Sequence, residues 1–422
     1  MPVTAHPVGW VALSSFFSEF GSSLHPACVA NATSVLLGQW ARAPAGQIKS
    51  PTMQVFSACA ASRSSLNFAP SVATPYVSFP QWISYHGEAK YFGSAAVSER
   101  AGSRTIRVIL PSMKVLLAAP RGFCAGVVRA LETLDTLLAR QSAPIFVNHE
   151  IVHNPHLVEQ YRERGVVFSD DLDAIPEGGT LVVSAHGAAP SLFIEARRRN
   201  LRVVDSTCPL VTKVHNEVRH HSARPGHHVL LIGHGDHVEV VGSFGYAQGA
   251  CTIISDIEAA RSFQPKAGVR YACAMQTTLS VADIGDILSA LRGKIPDLLE
   301  PAKSDICYAT TNRQNAVANM AGRCDAVLII GGANSSNSRR LVEMAERAGC
   351  PRTHFVSRGA MIDPRDFAGV SVLGISSGAS TPEPFIEEAL EVLSAHFEIS
   401  VEELGGEIED QHYKVPPLGR DS

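Results

Sequence analysis

Three cysteines stand where they could act as metal ligands. Cys124, Cys208 and Cys307 are 84 and 99 residues apart, and each comes directly before a stretch that favours the start of a helix. The amino terminus of a helix favours negative charge and lowers the pKa of a thiol, as a thiolate ligand requires. Neither the Cys-x-x-Cys pairs typical of zinc sites nor the tight cysteine run of ferredoxin-type clusters occurs. The spacing predicts metal binding by three ligands, with one metal position left open for a substrate.

The other cysteines of the carboxyl-terminal part have a simpler interpretation. They lie in strand or helix patterns without glycine or capping signals, so we expect them to be buried, small apolar residues. The same interpretation is open for any one of the first three when it is taken alone. The four cysteines assigned to packing are Cys251, Cys273, Cys324 and Cys350.

Polar side chains at loop positions form a second candidate set. Histidine, serine and asparagine side chains, helped by backbone amides at helix starts, can hold a diphosphate in a closed pocket without a lysine clamp. Glu239, two residues after His237, is the carboxylate we choose as proton donor, and Thr277 could relay a proton and contact the substrate. The further candidate substrate-binding residues are His153, His186, His237, Ser335, Ser336, Asn337 and Ser380.

Short apolar runs must position these residues. From Met113 onward the runs alternate with amphipathic stretches, which is the pattern of an α/β protein. Several runs end in glycine-containing turns, and ligands of open parallel sheets gather at the carboxyl ends of strands. The predicted strands are Val115–Ala118, Ile145–Val147, Leu181–Ser184, Val229–Ile232, Val327–Ile330 and Val372–Ile375.

The distances between the three cysteines predict the organisation of the chain. Each distance is about one small α/β unit, so we expect three lobes that each give one cysteine to a common centre. The predicted lobes are residues 113–208, 209–304 and 305–403, and residues 404–422 form a carboxyl-terminal tail.

The first 112 residues differ in composition from the rest. They contain three acidic residues against seven lysines and arginines, hold all three tryptophans, and show no sustained helical or strand period. Three interpretations compete: an organelle transit peptide, a disordered regulatory arm, or a start codon placed too early, with Met113 as the true beginning. We favour the last, because Met113 opens directly into a predicted strand.

Overall composition excludes several classes of function. The formal net charge of −4 gives no electrostatic reason to bind nucleic acid or an anionic membrane. No apolar stretch of about 18 residues predicts a transmembrane span. Nine cysteines without regular spacing in a long chain fit a reducing compartment, so we expect a cytoplasmic protein, with plastid targeting as a minority alternative.

Eight sequence runs together resemble the family of 4-hydroxy-3-methylbut-2-enyl diphosphate reductases, which act last in the non-mevalonate isoprenoid pathway. They occur in the family's order over about residues 113–400. One departure is Val238, where the family often has proline between the histidine and the glutamate. The runs are Pro120-Arg-Gly-Phe-Cys-Ala-Gly-Val, His149-Glu-Ile-Val-His-Asn, Ser184-Ala-His-Gly, Ser206-Thr-Cys-Pro-Leu-Val-Thr-Lys-Val-His, Gln276-Thr-Thr-Leu-Ser, Asp305-Ile-Cys-Tyr-Ala-Thr-Thr-Asn-Arg-Gln, Asn334-Ser-Ser-Asn-Ser and Gly378-Ala-Ser.

The resemblance implies a three-lobed, pseudo-threefold α/β fold around one [4Fe–4S] cluster with three cysteine ligands and one open iron. Cys124, Cys208 and Cys307 fall on the ligand positions, Glu239 and Thr277 fall near the substrate hydroxyl, and the seven polar residues above fall on substrate contacts. Two-electron reductive dehydroxylation would then release water and give isopentenyl and dimethylallyl diphosphates, with lobe closure to exclude bulk water. The electrons must come from an external donor such as a ferredoxin or flavodoxin, because no nucleotide-binding fingerprint occurs in a strand–helix context.

Two other classes of function remain open from the residues. The first is a non-catalytic iron–sulfur or zinc protein that senses redox state or regulates a partner. The second is a cysteine-nucleophile hydrolase that uses one of the three cysteines with a histidine. The second alternative leaves three similar cysteines at helix starts unexplained.

Overall fold

The structure is a computed structural model that describes residues 79–85, 88–100, 103–108, 110–140 and 144–418. Most of the amino-terminal segment, residues 1–78, therefore lies outside the described residues, and so do the three interpretations offered for it. Among the described residues, no helix is both long and apolar enough to cross a membrane.

Part of the amino-terminal segment forms an antiparallel sheet that the sequence did not predict. It consists of β1 (Phe79–Tyr85), β2 (Glu88–Arg100) and β3 (Ser103–Val108). Tyr85 pairs with Glu88, and Arg100 pairs with Ser103, so only two residues separate successive strands. Both separations end in glycine, a composition that favours tight hairpins. The expectation of an irregular segment up to residue 112 therefore differs from the structure over these strands.

The rest of the described chain is built on three parallel sheets, as expected of an α/β protein. The strand orders are β6-β5-β7-β8 in the first sheet, β10-β9-β11 in the second and β13-β12-β14-β4-β15 in the third. The strands are β4 (Ser112–Leu117), β5 (Ile145–Asn148), β6 (Val166–Phe168), β7 (Thr180–Val183), β8 (Arg202–Asp205), β9 (His227–Ile232), β10 (Cys251–Ile254), β11 (Arg270–Met275), β12 (Ala326–Ile330), β13 (Thr353–Val356), β14 (Val372–Ser377) and β15 (Glu398–Glu403).

Helices connect the strands and cover the sheets. Helix α1 shows why they form: its apolar residues recur at helical spacing, so one face packs on the first sheet while the other meets solvent. The helices are α1 (Ala125–Arg140), α2 (Pro155–Glu163), α3 (Pro190–Arg198), α4 (Pro209–Ser222), α5 (Val238–Gly245), α6 (Ile257–Ser262), α7 (Val281–Arg292), α8 (Tyr308–Ala321), α9 (Ser336–Arg347) and α10 (Pro384–Ser394).

Strand β4 belongs to a different sheet from the one that its place in the sequence suggested. The predicted first lobe, 113–208, begins with this strand, yet Leu116 pairs with Gly374 of β14 and with Glu402 of β15. Buried Val115 and Leu117 join the core of the third sheet. Sequence spacing could not show this, because the partner strands lie more than 250 residues further along the chain. The first sheet therefore starts at β5.

The carboxyl-terminal tail packs against the rest of the protein. Beyond β15 it has no regular secondary structure, but Leu418 is buried in the core of the first sheet. The Arg202 guanidinium donates to the carbonyl of Leu418, and the Arg129 guanidinium donates to the carbonyl of Lys414. Glu409 reaches the interior, where it pairs with Arg313. The tail predicted from residue 404 is thus an irregular segment that packs on the protein over residues 404–418.

Candidate active site

One cavity is lined by all the residues that the sequence singled out for chemistry. They come from loops after strands of all three sheets and from helix starts, as the geometry of parallel sheets favours. Apolar side chains of Val127, Val152, Leu210 and Val211 complete the wall. The predicted residues brought together are Cys124, Cys208, Cys307, Glu239, Thr277, His153, His186, His237, Ser335, Ser336, Asn337 and Ser380.

The three cysteines stand at the starts of three helices, as their sequence setting predicted. Cys208 and Cys307 are the N-cap residues of α4 and α8, and Cys124 directly precedes α1. The carbonyl of each cysteine accepts a hydrogen bond from the amide four residues later, at 2.9–3.0 Å. All seven cysteines of the described residues are free thiols.

The backbone of each cysteine is held by one repeated hydrogen bond. The Cys208 amide donates to the carbonyl of Ala185 at 3.0 Å, and the Cys307 amide donates to that of Thr277 at 3.0 Å. The Cys124 amide donates in the same way to Ala379 at 3.1 Å. Each acceptor lies two residues beyond the end of a strand: Ala185 after β7, Thr277 after β11 and Ala379 after β14. Each acceptor either is a predicted substrate-binding residue or stands next to one. One backbone hydrogen bond per cysteine thus holds each cysteine next to a loop that carries polar side chains.

The expected lowering of the thiol pKa values is wrong in its net direction. Burial raises the pKa of Cys208 to about 11, and the nearby Cys124 thiol adds to the effect. Burial together with Cys124 and Cys208 raises the pKa of Cys307 to about 12. Backbone amides at the helix starts do lower both values, but burial and the neighbouring thiols outweigh them. Thiolates at Cys208 and Cys307 are therefore disfavoured here unless a positive charge, such as that of a metal ion, lies beside them.

Gly126 leaves room beside the thiols. A Cβ atom at this position would lie 2.8 Å from Cys208 Sγ and 3.9 Å from Cys124 Sγ, so no other residue fits without displacing a thiol. Sequence reasoning quoted this glycine in a motif but gave it no role, and its place two residues after Cys124 was the available signal. Among the described residues, no three His, Cys, Asp or Glu side chains are arranged around a single metal-ion position. The thiols share one cavity without forming a preformed one-ion site.

Glu239 and Thr277 form a buried hydrogen-bonded pair. The Thr277 amide donates to Glu239 Oε1 at 2.7 Å, and the Thr277 hydroxyl donates to Oε2 at 2.9 Å. Glu239 is only 2% exposed, and burial raises the pKa of its carboxyl to about 7 in spite of these two bonds. A carboxyl with such a pKa can hold and release a proton near neutral pH.

Three histidines from three separate loops face one another in the cavity. The rings of His153 and His186 stack with their centroids 3.8 Å apart, and the His237 ring lies 5.4 Å from that of His153. Burial lowers the pKa of His186 well below its ordinary value and that of His237 to about 3. These two rings are therefore neutral at physiological pH and can donate hydrogen bonds without carrying a charge.

His237 has one occupied and one free ring nitrogen. Its Nδ1 accepts a hydrogen bond from the Glu239 amide at 3.2 Å and so caps helix α5. This bond places the proton of the neutral ring on Nε2. That atom is buried without a hydrogen-bond partner. Val238, which stands where the family often has proline, is the first residue of α5, and the helix forms without the proline.

Other buried polar atoms of the cavity also lack partners. Both side-chain polar atoms of Asn337 and both ring nitrogens of His153 make no hydrogen bond, although Glu150 Oε2 lies 3.5 Å from His153 Nδ1. Buried polar atoms are nearly always hydrogen-bonded in folded proteins. Unpartnered atoms that line a cavity therefore indicate a polar ligand.

The serine hydroxyls are partly used by the protein itself. Ser335 Oγ accepts from the Ser338 amide at 3.2 Å and caps α9, which leaves its own hydrogen free to donate. Ser336 Oγ accepts from Thr278 at 3.2 Å, and Ser380 donates to the carbonyl of His153 at 3.0 Å. Thr278 was missed by sequence reasoning, although it adjoins Thr277 in the same run. The Ser380 hydroxyl therefore uses its hydrogen within the protein, and it can contact another group only as a hydrogen-bond acceptor.

Parallel α/β sheets, three half-buried thiols at helix starts and a buried carboxyl whose pKa is raised to about 7, all at one cavity, define the class of protein as an α/β enzyme. A family model described as LytB protein matches residues 115–394. A curated relative from Gluconobacter oxydans, a 4-hydroxy-3-methylbut-2-enyl diphosphate reductase, is 46% identical over 309 residues, or 72% of this chain and 92% of that protein. The chain therefore belongs to the LytB family of 4-hydroxy-3-methylbut-2-enyl diphosphate reductases.

Further relatives agree with this assignment. The reductase of the same name from Paracoccus denitrificans is 44% identical over 313 residues, which cover 74% of this chain and 99% of the relative. Among solved structures, the E-1-hydroxy-2-methyl-but-2-enyl-4-diphosphate reductase of Plasmodium falciparum is similar with a TM-score of 0.69 at 31% identity. That match covers 72% of this chain and 96% of the other.

Proposed function

We propose that this chain reduces 4-hydroxy-3-methylbut-2-enyl diphosphate to isopentenyl and dimethylallyl diphosphates on a [4Fe–4S] cluster held by Cys124, Cys208 and Cys307. The observation that carries the proposal is the convergence of three thiols and the Glu239–Thr277 pair on one cavity. The names of the relatives supply the substrate. The reaction consumes two electrons and two protons and releases one water.

The residues present fit such a cluster. Three thiols share one cavity without surrounding a single-ion position, which suits ligands that each bind a different iron of a larger group. Gly126 keeps free the space that a Cβ atom would fill beside Cys208. We propose a pseudo-threefold arrangement around the cluster, supported by the hydrogen bond repeated at each cysteine. When bound, the cluster would supply electrons and an iron with Lewis acidity.

The protein's own groups bind the diphosphate and place the proton. Neutral His237 donates through Nε2, and Asn337 and Ser335 donate from the start of α9, where the helix dipole favours an anion. Glu239 holds a proton near neutral pH. When protonated, its carboxyl donates to Thr277 Oγ1, the reverse of the bond in the structure, and the Thr277 hydroxyl passes its own hydrogen toward the hydroxyl that leaves as water. The apolar wall keeps bulk water from the reacting carbon.

Electrons must enter from another protein, since no nucleotide-binding fingerprint occurs in the sequence. We propose a small electron carrier such as a ferredoxin or flavodoxin as the donor. The cytoplasmic location expected from the free thiols stays a prediction.

The function is tested with protein purified and reconstituted without oxygen. We expect about four iron and four sulfide per chain, a brown colour, and conversion of the hydroxylated diphosphate to both products with a reduced ferredoxin, measured by liquid chromatography. Protein that takes up no iron would contradict the proposal. A full cluster without substrate consumption would instead favour a redox sensor, and zinc in place of iron would favour a structural metal protein.

The two roles of His237 can be separated by His237→Asn. Asparagine is a good N-cap, so the amide of Glu239 keeps an acceptor and α5 keeps its start. The Nε2 donor is lost, and we expect KM for the diphosphate to rise about tenfold, the loss of one hydrogen bond to a charged group, with little change in the cluster spectrum. Steady-state kinetics with the reduced carrier measure this.

His237→Ala is the matched comparison, because it removes both the donor and the cap. It should add a loss of thermal stability to the same rise in KM. If His237→Asn bound the diphosphate as tightly as the unaltered protein, Nε2 would have no part in binding.

A further inference from the structure

Arg313 is a fully buried cation that bonds to the loop before Cys124. Its guanidinium donates to the Gly122 carbonyl at 2.9 Å and to the Phe123 carbonyl at 3.4 Å, in the loop just before Cys124. It also donates to the Ala309 carbonyl within its own helix and to Glu409 of the tail at 2.9 Å. Burying a charge costs free energy unless it is fully paired, and these bonds use the whole fork of donors.

Two other cations occupy corresponding places. Arg129 of α1 donates to the Thr207 carbonyl at 3.0 Å, in the loop before Cys208, and to the carbonyl of Asp205 at 3.4 Å, at the end of β8. Lys213 of α4 donates to the Lys303 carbonyl at 2.8 Å and to Asp305 Oδ1 at 2.5 Å, in the loop before Cys307.

The three cations repeat one rule around the site. Each lies five or six residues after one cysteine, on the helix that this cysteine starts, and bonds to the loop that precedes the next cysteine. The three contacts form a cycle. The helix after Cys124 bonds to the loop before Cys208, and the helix after Cys208 bonds to the loop before Cys307. The helix after Cys307 bonds back to the loop before Cys124. Three local bonds thereby become one closed arrangement.

We infer that Arg129, Lys213 and Arg313 form a cation ring of positioning residues that fixes the three cysteine loops around the cluster and, together with their carboxylate partners, sets the charge beside it. The inference rests on the proposed function, since it requires the cluster. Groups that hold metal ligands in place govern metal affinity, and nearby charge sets the reduction potential of a cluster.

The tail supports the ring at two of its members. Glu409 accepts from Arg313 with its carboxylate, and the Lys414 carbonyl accepts from Arg129 at 2.9 Å. Removal of the Glu409 charge would leave the positive charge of Arg313 uncompensated, whereas removal of the Arg313 charge would leave the negative charge of Glu409 uncompensated. The two substitutions should therefore move the reduction potential in opposite directions, which a merely structural pair would not do.

The test compares anaerobically reconstituted variants by two measurements that do not depend on turnover: the rate of iron loss to a chelator and the reduction potential of the cluster. Arg129→Met, Lys213→Met and Arg313→Met should each release iron about tenfold faster, because each loses bonds that involve a charged group. Each should also have a lower potential. Arg199→Met is the control, since Arg199 likewise bonds to a carboxylate and a carbonyl, Asp173 and Ile175, but these lie in the connection between β6 and β7 and none of the three lines the cavity.

Two milder variants keep the inference testable if a methionine variant folds poorly. Arg313→Lys should restore the potential while iron is still lost faster, and Glu409→Gln should raise the potential above that of the unaltered protein. If the three methionine variants lost iron at the same rate and had the same potential as Arg199→Met, the inference of the cation ring would be overturned but the proposed function would stand. Unaltered protein that takes up no iron would overturn the proposed function and the ring together.

Discussion

Replacement of Glu239 by glutamine should lower turnover by about a thousandfold, the range expected for loss of a general acid. The side chain is buried, carries a carboxyl whose pKa burial raises to about 7, and is bonded twice to Thr277. Glutamine keeps the shape and can still accept from the Thr277 amide, but it has no acidic proton. Turnover with a saturating reduced carrier measures the loss.

The cluster provides the control for this substitution. Glu239 is not among the proposed ligands, so Glu239→Gln should retain full iron, sulfide and visible absorption. In the unaltered enzyme, turnover should fall as the pH rises through about 7, because the carboxyl loses its proton there. A glutamine variant with near-normal turnover and the same pH profile would remove Glu239 from this role.

The same pKa makes a prediction about stability. The folded-state pKa of Glu239 lies above the ordinary value of 4.5, so the folded protein holds this proton to higher pH than the unfolded chain does. The stabilisation from protonation is therefore complete below about pH 4.5 and lost as the pH rises through about 7. Glutamine does not titrate, so the metal-free variant should gain in relative thermal stability at pH 8 but not at pH 4.

Local signals explain why the candidate residues could be expected to lie close together. Each chemical residue lies at a strand end or a helix start, and apolar runs such as Val229–Ile232 within β9 mark those strands plainly. The carboxyl ends of parallel strands then bring distant loops together without further information. All twelve candidate residues line one cavity for this reason.

The parts of the fold that were missed depend on distant partners or on mixed composition. Strand β6 has only three residues, and β13 begins with the polar Thr353 and His354, so neither forms a plain buried apolar run, and each is defined by its neighbour in the sheet. The sheet to which β4 belongs depends on β14 and β15, far along the chain. Arg129, Lys213 and Arg313 bond largely to backbone carbonyls, which every residue has, so no side-chain pattern marks their partners.

The pKa values of the thiols show the limit of local reasoning most clearly. A helix start lowers the pKa of a thiol, and the amides after Cys208 and Cys307 do act in that direction. Burial and the approach of neighbouring thiols are properties of the assembled cavity, and their raising of the thiol pKa outweighs the lowering by the amides. The corrected direction means that Cys208 and Cys307 need a nearby positive charge, such as that of a metal ion, to be thiolates at neutral pH.

Cys307→Ser should abolish the cluster and turnover while leaving the fold intact. Serine is a preferred N-cap residue, so α8 should start as before, and a hydroxyl is a poor replacement for a thiolate on iron. The remaining thiols, Cys124 and Cys208, cannot retain a full cluster. Iron and sulfide analysis, visible absorption and turnover should all fall together, most of the iron being lost.

Thermal unfolding separates loss of the ligand from loss of the fold. Metal binding to the folded state adds stability, so reconstituted unaltered protein should melt above its metal-free form, whereas Cys307→Ser should melt at one temperature with or without reconstitution. Cys251→Ser is the matched control, because this half-buried thiol of β10 lies outside the cavity. It should keep its iron and its turnover. A Cys307→Ser protein with a full cluster, or a Cys251→Ser protein without one, would show that the thiols at helix starts are not the ligands.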